Sequence, residues 1–262
     1  MNLRLYQLDA FTDQLFGGNP AAVVPLQEWI SDEWMQKIAQ ENNLAETAFY
    51  VPTEQGFHIR WFTPTVEVDL CGHATLATAY VIFFIEKYDG NEISFESRSG
   101  ELKIFRKEEW ITLDFPADRY QAAVAPPALQ EGIKSVDEFE TFRGKSDYML
   151  VLENEAQIKN LNPDIFILST VPTRGIIMTA PGDEVDFVSR FFAPQSGVDE
   201  DSVTGSAHTT LIPYWAEKLG KKKMTARQLS ARGGYLRCEL AGDRTLISGQ
   251  VKLYLTGEIS VE

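Results

Sequence analysis

Arg60-Trp61-Phe62-Thr63-Pro64 is answered further along the chain by Arg190-Phe191-Phe192-Ala193-Pro194, and this pairing decides the fold. The two stretches lie 130 residues apart in a chain of 262, so the repeat runs the whole length and is not a local module. A second pair follows in the same order. Cys71-Gly72-His73-Ala74-Thr75 matches Thr204-Gly205-Ser206-Ala207-His208 at a separation of 133, which puts three inserted residues between the motifs of the second half. Acids precede each glycine, Glu67 and Asp69 in one half, Asp199, Glu200 and Asp201 in the other, and an apolar segment of helical length follows each. Both halves therefore read as loop, glycine, helix start. Duplicated halves commonly face each other across a pseudo-two-fold axis, where a ligand site is expected.

Working outward, short stretches rich in β-branched and aromatic residues predict strands at 3–8, 21–24, 47–51, 58–62, 93–95, 102–105 and 111–115. The second half repeats the theme at 148–152, 176–179, 235–239 and 250–255. Ser31 is placed as an N-cap, with Asp32 and Glu33 in the first turn and Trp34, Met35, Ile38 and Ala39 forming one apolar face. The fold class is α+β. Residues 118–129, with Pro126-Pro127 and several alanines, are the expected linker, giving halves at 1–118 and 119–262. The last strand is a candidate to return to the first half.

Composition narrows the function. Lys and Arg number 24 against 38 acids, a formal charge of -14, opposite in sign to a nucleic-acid footprint. The one basic run, Lys221 to Lys223, follows Gly220 and reads as a solvated surface at a helix end. The apolar run 74–85 is too short to span a bilayer and fits a buried helix; the first residues lack the pattern of a signal peptide. Two cysteines, Cys71 and Cys238, do not make a secreted disulfide scaffold, so a reduced, cytoplasmic, soluble protein with no membrane partner is expected.

A glycine-led turn opening a helix presents unpaired N–H groups and the positive dipole end, which suits a carboxylate without any basic side chain. His73 then sits at a helix entrance, where an imidazole can exchange protons near neutral pH. Of the other two histidines, His58 reads as a half-exposed strand residue and His208 as a packing or capping residue. Neither histidine nor cysteine spacing follows a metal-site pattern, so no metal is expected. Cys71 and Thr204 are equivalent, so a pair of thiol bases on opposite faces of one carbon is not available. Glu46, between an amphipathic helix and a buried strand, is a candidate acid and base; the competing reading is a helix-end acid facing water.

The run Phe16-Gly17-Gly18-Asn19-Pro20-Ala21-Ala22-Val23, then Leu44-Ala45-Glu46-Thr47, then Asp69-Leu70-Cys71-Gly72-His73-Ala74-Thr75, then Phe192-Ala193-Pro194 leading to Glu200-Asp201-Ser202-Val203-Thr204-Gly205-Ser206-Ala207-His208, resembles the PhzF-like branch of the diaminopimelate-epimerase superfamily over nearly the full length. The resemblance implies two pseudo-symmetric domains, each a curved sheet or barrel around a central helix, with the active site between them. It implies an isomerase that needs no cofactor, in which Glu46, His73 and Asp201 are catalytic. Asn19, Cys71, Gly72, Thr204, Gly205 and Ser206 would contact a small carboxylate-bearing substrate. Homodimers are common among such relatives, and one is expected here. Two departures stand out: Thr204 in place of the second cysteine of true diaminopimelate epimerases, and Ser202 where proline is common. The alternatives are a single-cysteine amino-acid racemase or epimerase using Cys71, and a carboxylate-binding protein without turnover.

Overall fold

The computed structural model describes residues 1–134, 136 and 138–261. The chain forms two compact units, Met1–Phe115 with Ile247–Glu262, and Pro116–Leu246.

In the first unit, strand Asn2–Ala10 is flanked antiparallel by Asn19–Pro25 and by the C-terminal strand Val251–Ser260, so the end of the chain closes onto its beginning. The sheet continues through Glu46–Thr53, parallel to Asn19–Pro25, and then Gly56–Phe62, antiparallel. A meander of Glu92–Glu96, Leu102–Lys107 and Trp110–Pro116 extends it. Helix Gly72–Tyr80, continued by a π turn over Val81–Ile85, touches strands Asn2–Ala10, Asn19–Pro25, Glu46–Thr53 and Val251–Ser260. Every residue from His73 to Ala79 is buried, as expected of a helix that is apolar all round. Its alanines let strands approach closely. Gly249 does the same from the sheet, since a Cβ there would lie 2.4 Å from the Phe11 ring and 3.0 Å from Leu76. The amphipathic helix is found at Asp32–Asn42; Ser31 Oγ accepts from the Trp34 N–H at 3.3 Å, and Met35, Ile38 and Ala39 pack in a cluster with Phe49 and Phe62. Burying side chains of this size contributes about 1.5–3 kcal/mol each.

The second unit is built alike. Asp147–Val151 runs parallel to Gly175–Pro181, which pairs antiparallel with Phe187–Ala193. That strand lies parallel to Lys223–Gln228, the partner of Gly234–Ala241. Its central helix is Gly205–Leu219, anchored where Trp215 stacks on Phe187 at 5.6 Å and donates to Thr179 Oγ1 at 2.9 Å. Pro213 lies inside this helix and cannot bond back to Thr209; the Asp118 N–H takes that carbonyl instead, at 3.0 Å.

All seven strands expected in the first half are present, each longer by two or three residues. The second half holds strands that its pattern hides. Phe187–Ala193 is buried on both faces and so has no two-residue alternation, and Lys223–Gln228 begins inside the basic run that reads as surface. The expected linker is partly structured: Gln121–Ala122 pairs with Glu140–Arg143, and helix Pro127–Gly132 starts within it. Among the described residues no helix is long and apolar enough to cross a membrane.

The loop before Asn19 depends on Gly18, whose φ is 61° and whose Cβ would sit 2.1 Å from the Ala10 carbonyl oxygen. Gly18→Ala is expected to cost about 1–3 kcal/mol of stability, read as a lower urea midpoint. Gly100→Ala, also at positive φ but in open space, should cost less.

Candidate active site

Four side chains of the first unit converge for reasons visible in its topology. Asn19 and Glu46 each begin a strand, and the parallel pairing sets Glu46 opposite Ala21, so both lie at the same end of neighbouring strands. The central helix enters at this end, with Cys71 as its N-cap, Gly72 as its first residue and His73 as its second. The left-handed turn at Asn43 ends the outer helix just before Glu46, and Asn42 fixes the strand start by donating to Thr47 Oγ1 at 3.1 Å.

The His73 imidazole, 5% exposed, is addressed on both edges. Nδ1 lies 3.2 Å from the Asn19 side-chain amide nitrogen and 3.5 Å from Cys71 Sγ. Nε2 lies 3.1 Å from Glu46 Oε2. Those last two atoms are buried and close, yet neither has an aligned hydrogen-bond partner. With the Asn19 N–H donating to Nδ1, the neutral ring carries its proton on Nε2; turning the amide lets Nδ1 take a second proton. Burial opposes a charge on this ring, but Cys71 and Glu46 outweigh it and hold His73 well above the ordinary histidine value. Burial and then the Glu46 charge push the Cys71 thiol up to about 11, while the His73 ring acts in the opposite direction.

Glu46, Cys71 and His73 also place ligand atoms within 4.8 Å of one another. A tetrahedral zinc site would gather its donors around one point, about 3.5 Å apart. Here Cys71 faces Nδ1 and Glu46 faces Nε2. Sulfur and carboxylate thus approach different nitrogens of one ring, whereas a metal would be bound through a single one of them.

In the second unit Asp201 ends the short strand Val198–Asp201, and its Oδ2 accepts from Thr204 Oγ1 at 2.6 Å. Gln228 ties this corner together, accepting from the Thr204 N–H at 2.9 Å and donating to the Asp201 carbonyl at 2.8 Å. Gly205 opens the central helix and Ser206 follows it. Neither N-cap, Cys71 nor Thr204, makes a side-chain capping bond to its own helix. Gln228 and Arg174 have no counterpart among the sequence-predicted residues, because both sit far along the chain on strands and loops without a motif. Arg174 pairs with buried Asp147 through two nitrogens and donates to Ser206 Oγ at 2.9 Å.

The repeat is legible in these contacts. Arg60 grips Glu67 at 2.7 and 2.8 Å, and Arg190 grips Glu200 at 2.6 and 2.9 Å, the longer spacing absorbing the three inserted residues. Thr75 donates to the Cys71 carbonyl at 2.6 Å, and its equivalent His208 holds the Thr204 carbonyl through Nδ1 at 2.8 Å. His208 is therefore a structural residue.

Comparison with known proteins gives a consistent picture. The sequence matches the PhzC-PhzF family, described as phenazine biosynthesis-like protein, over residues 8–258. It is 48% identical over 261 residues to a Pseudomonas aeruginosa protein named as an uncharacterized isomerase, covering 99% of each chain. The fold matches the crystal structure of a PhzF-family phenazine biosynthesis protein from Enterococcus faecalis with TM-score 0.96 and 43% identity, covering 100% of both chains. A hydroxyproline epimerase from Agrobacterium vitis shares the fold alone, with TM-score 0.61, 11% identity, and 98% of this chain and 92% of that one covered. The α+β, epimerase-like architecture expected from the sequence is thereby present.

His208 is fully buried, and burial lowers its pKa from 6.5 to about 4 despite the Thr204 bond. Above pH 6.5 it is neutral folded or unfolded. Between 6.5 and 4 only the unfolded chain takes the proton, so stability is lost as the pH drops through this window, by up to about 3 kcal/mol. Urea unfolding at pH 7.5, 5.5 and 4.5 should show a shallower decline in His208→Gln than in the wild type.

Proposed function

We propose, for a chain that belongs to the PhzC-PhzF family and is an isomerase, that it moves a carbon-bound proton within a small carboxylate or amino-acid-like substrate, without cofactor or metal. The observation that carries this reading is the buried contact of Glu46 Oε2 with His73 Nε2 at 3.1 Å, in which both atoms retain unused hydrogen-bonding capacity. Glu46 takes the proton from carbon and returns it at the product position, an allylic or epimerising shift. His73, whose partners favour its charged form, stabilises the Glu46 carboxylate and accepts or gives a proton as the substrate changes charge. The uncapped helix entrances at Gly72 and Gly205, with Asn19, Thr204 and Ser206, are assigned to the substrate carboxylate and its neighbours. Asp201, held by Thr204, is assigned to orient the substrate or assist proton movement.

A second reading, a racemase with Cys71 as base, draws support from the 3.5 Å approach of Sγ to the imidazole. A thiol pushed up to about 11 is a poor base at neutral pH, which favours the glutamate. Cytoplasmic residence and a homodimer belong to the same proposal. The two free, buried cysteines are compatible with the first, and the exposed run Leu253, Tyr254 and Leu255, with Phe16 against Tyr254, offers an apolar surface for the second.

Incubating the protein in deuterated water with a panel of small amino and cyclic acids, read by mass spectrometry, tests the proposal. Wild type should incorporate deuterium at carbon in at least one acid, and Glu46→Gln should reduce that rate about 10²–10⁴-fold with an unchanged melting temperature. Undiminished exchange in Glu46→Gln removes the residue from this role. Activity should survive dialysis against a chelator, and loss of exchange restored by added metal would contradict the metal-free mechanism.

A further inference from the structure

We propose that Cys71 is a positioning residue: together with Asn19 it holds the Nδ1 edge of His73 so that Nε2 faces Glu46, and it does not itself exchange protons with the substrate. The inference deepens the reading of Glu46 and His73 as the proton-handling pair and takes its catalytic meaning from it.

The geometry of the ring carries the argument. Nε2 approaches Glu46 Oε2 to 3.1 Å without the alignment of a hydrogen bond, so that contact does not fix the orientation of the imidazole. The Nδ1 edge does, through the Asn19 amide at 3.2 Å and the Cys71 sulfur at 3.5 Å. Both holders are themselves immobile. Asn19 is 1% exposed at the start of a strand, and Cys71 is 6% exposed at the N-cap of an enclosed helix, two residues from the ring it touches. A sulfur buried to this degree and turned toward the imidazole is directed at the ring.

The second unit gives an independent parallel. Thr204 occupies the equivalent N-cap, is likewise 6% exposed, leaves its own helix uncapped, and spends its hydroxyl on the Asp201 carboxylate at 2.6 Å. In each half the N-cap side chain lies against a polar group assigned to the reaction. Cysteine and threonine are then two solutions to one task, orienting a neighbour. That explains why one half keeps a thiol while the other has none.

The test uses the full-length protein labelled with ¹⁵N-histidine, which places labels at only three residues, His58, His73 and His208. Cys71→Ala should shift the His73 Nδ1 resonance, with His58 and His208 unmoved; Cys71→Ser, which keeps a polar group at that edge, should stay close to wild type. Asn19→Ala, which removes the other contact to the same nitrogen, should also move Nδ1 and provides the reading if Cys71→Ala does not fold. For an acid that shows deuterium exchange, Cys71→Ala should lower kcat about 10- to 100-fold with KM held, and Cys71→Ser should recover most of the loss. A His73 ring unchanged in Cys71→Ala overturns the proposal. So does equal, complete loss of exchange in both Cys71 variants with the ring unmoved, which would make the thiol a base. The ring measurement needs no substrate, so a failure of the isomerase reading and a failure of this one give different results.

Discussion

A carboxylate and an imidazole 3.1 Å apart, one four-fifths and the other almost wholly withdrawn from water, form the constraint around which the first unit is organised. In water such a contact contributes little, but in a low-dielectric setting both its attraction and the cost of leaving either group unpaired grow. The fold supplies that setting by wrapping strands around a buried helix whose one imidazole and one thiol sit where the helix begins. Glu46, Asn19 and Cys71 reach His73 because two parallel strands and the helix share that end of the unit. Moving the ring by a fraction of its own width would separate Nε2 from Glu46 and Nδ1 from Asn19 and Cys71.

The two halves show how a duplicated chain divides structural from chemical roles. Arg60 with Glu67 and Arg190 with Glu200 retain the same bidentate pairing, so these two glutamates brace the segment before each glycine. The back-bond to the N-cap carbonyl is also retained, although it comes from a hydroxyl in Thr75 and an imidazole in His208. Divergence is concentrated one and two residues away, at the N-cap and the residue beyond glycine, where Cys71 and His73 face Thr204 and Ser206 in the repeat. Backbone needs are common to both halves and preserve the frame; the chemistry differs and relaxes only the side chains that perform it.

What the linear order determined by itself was the repeat, the α+β class, the two glycine-led helix starts and most first-half strands. These follow from local constraints: alternation on a half-buried sheet, the Ser31 cap, and motif spacing that survives folding unchanged. The strands Phe187–Ala193 and Lys223–Gln228 were invisible for the same reason in reverse, since burial on both faces or a polar composition erases the pattern. Tertiary structure alone decided which candidates lie together. Sequence left Glu46 equally readable as a helix-end acid in water; parallel pairing with Asn19–Pro25 turned it onto His73. Likewise Arg174, Asp147 and Gln228 are distant in the chain from Ser206 and Thr204, and their contacts arise from strand pairing, an interaction between segments that no local pattern records.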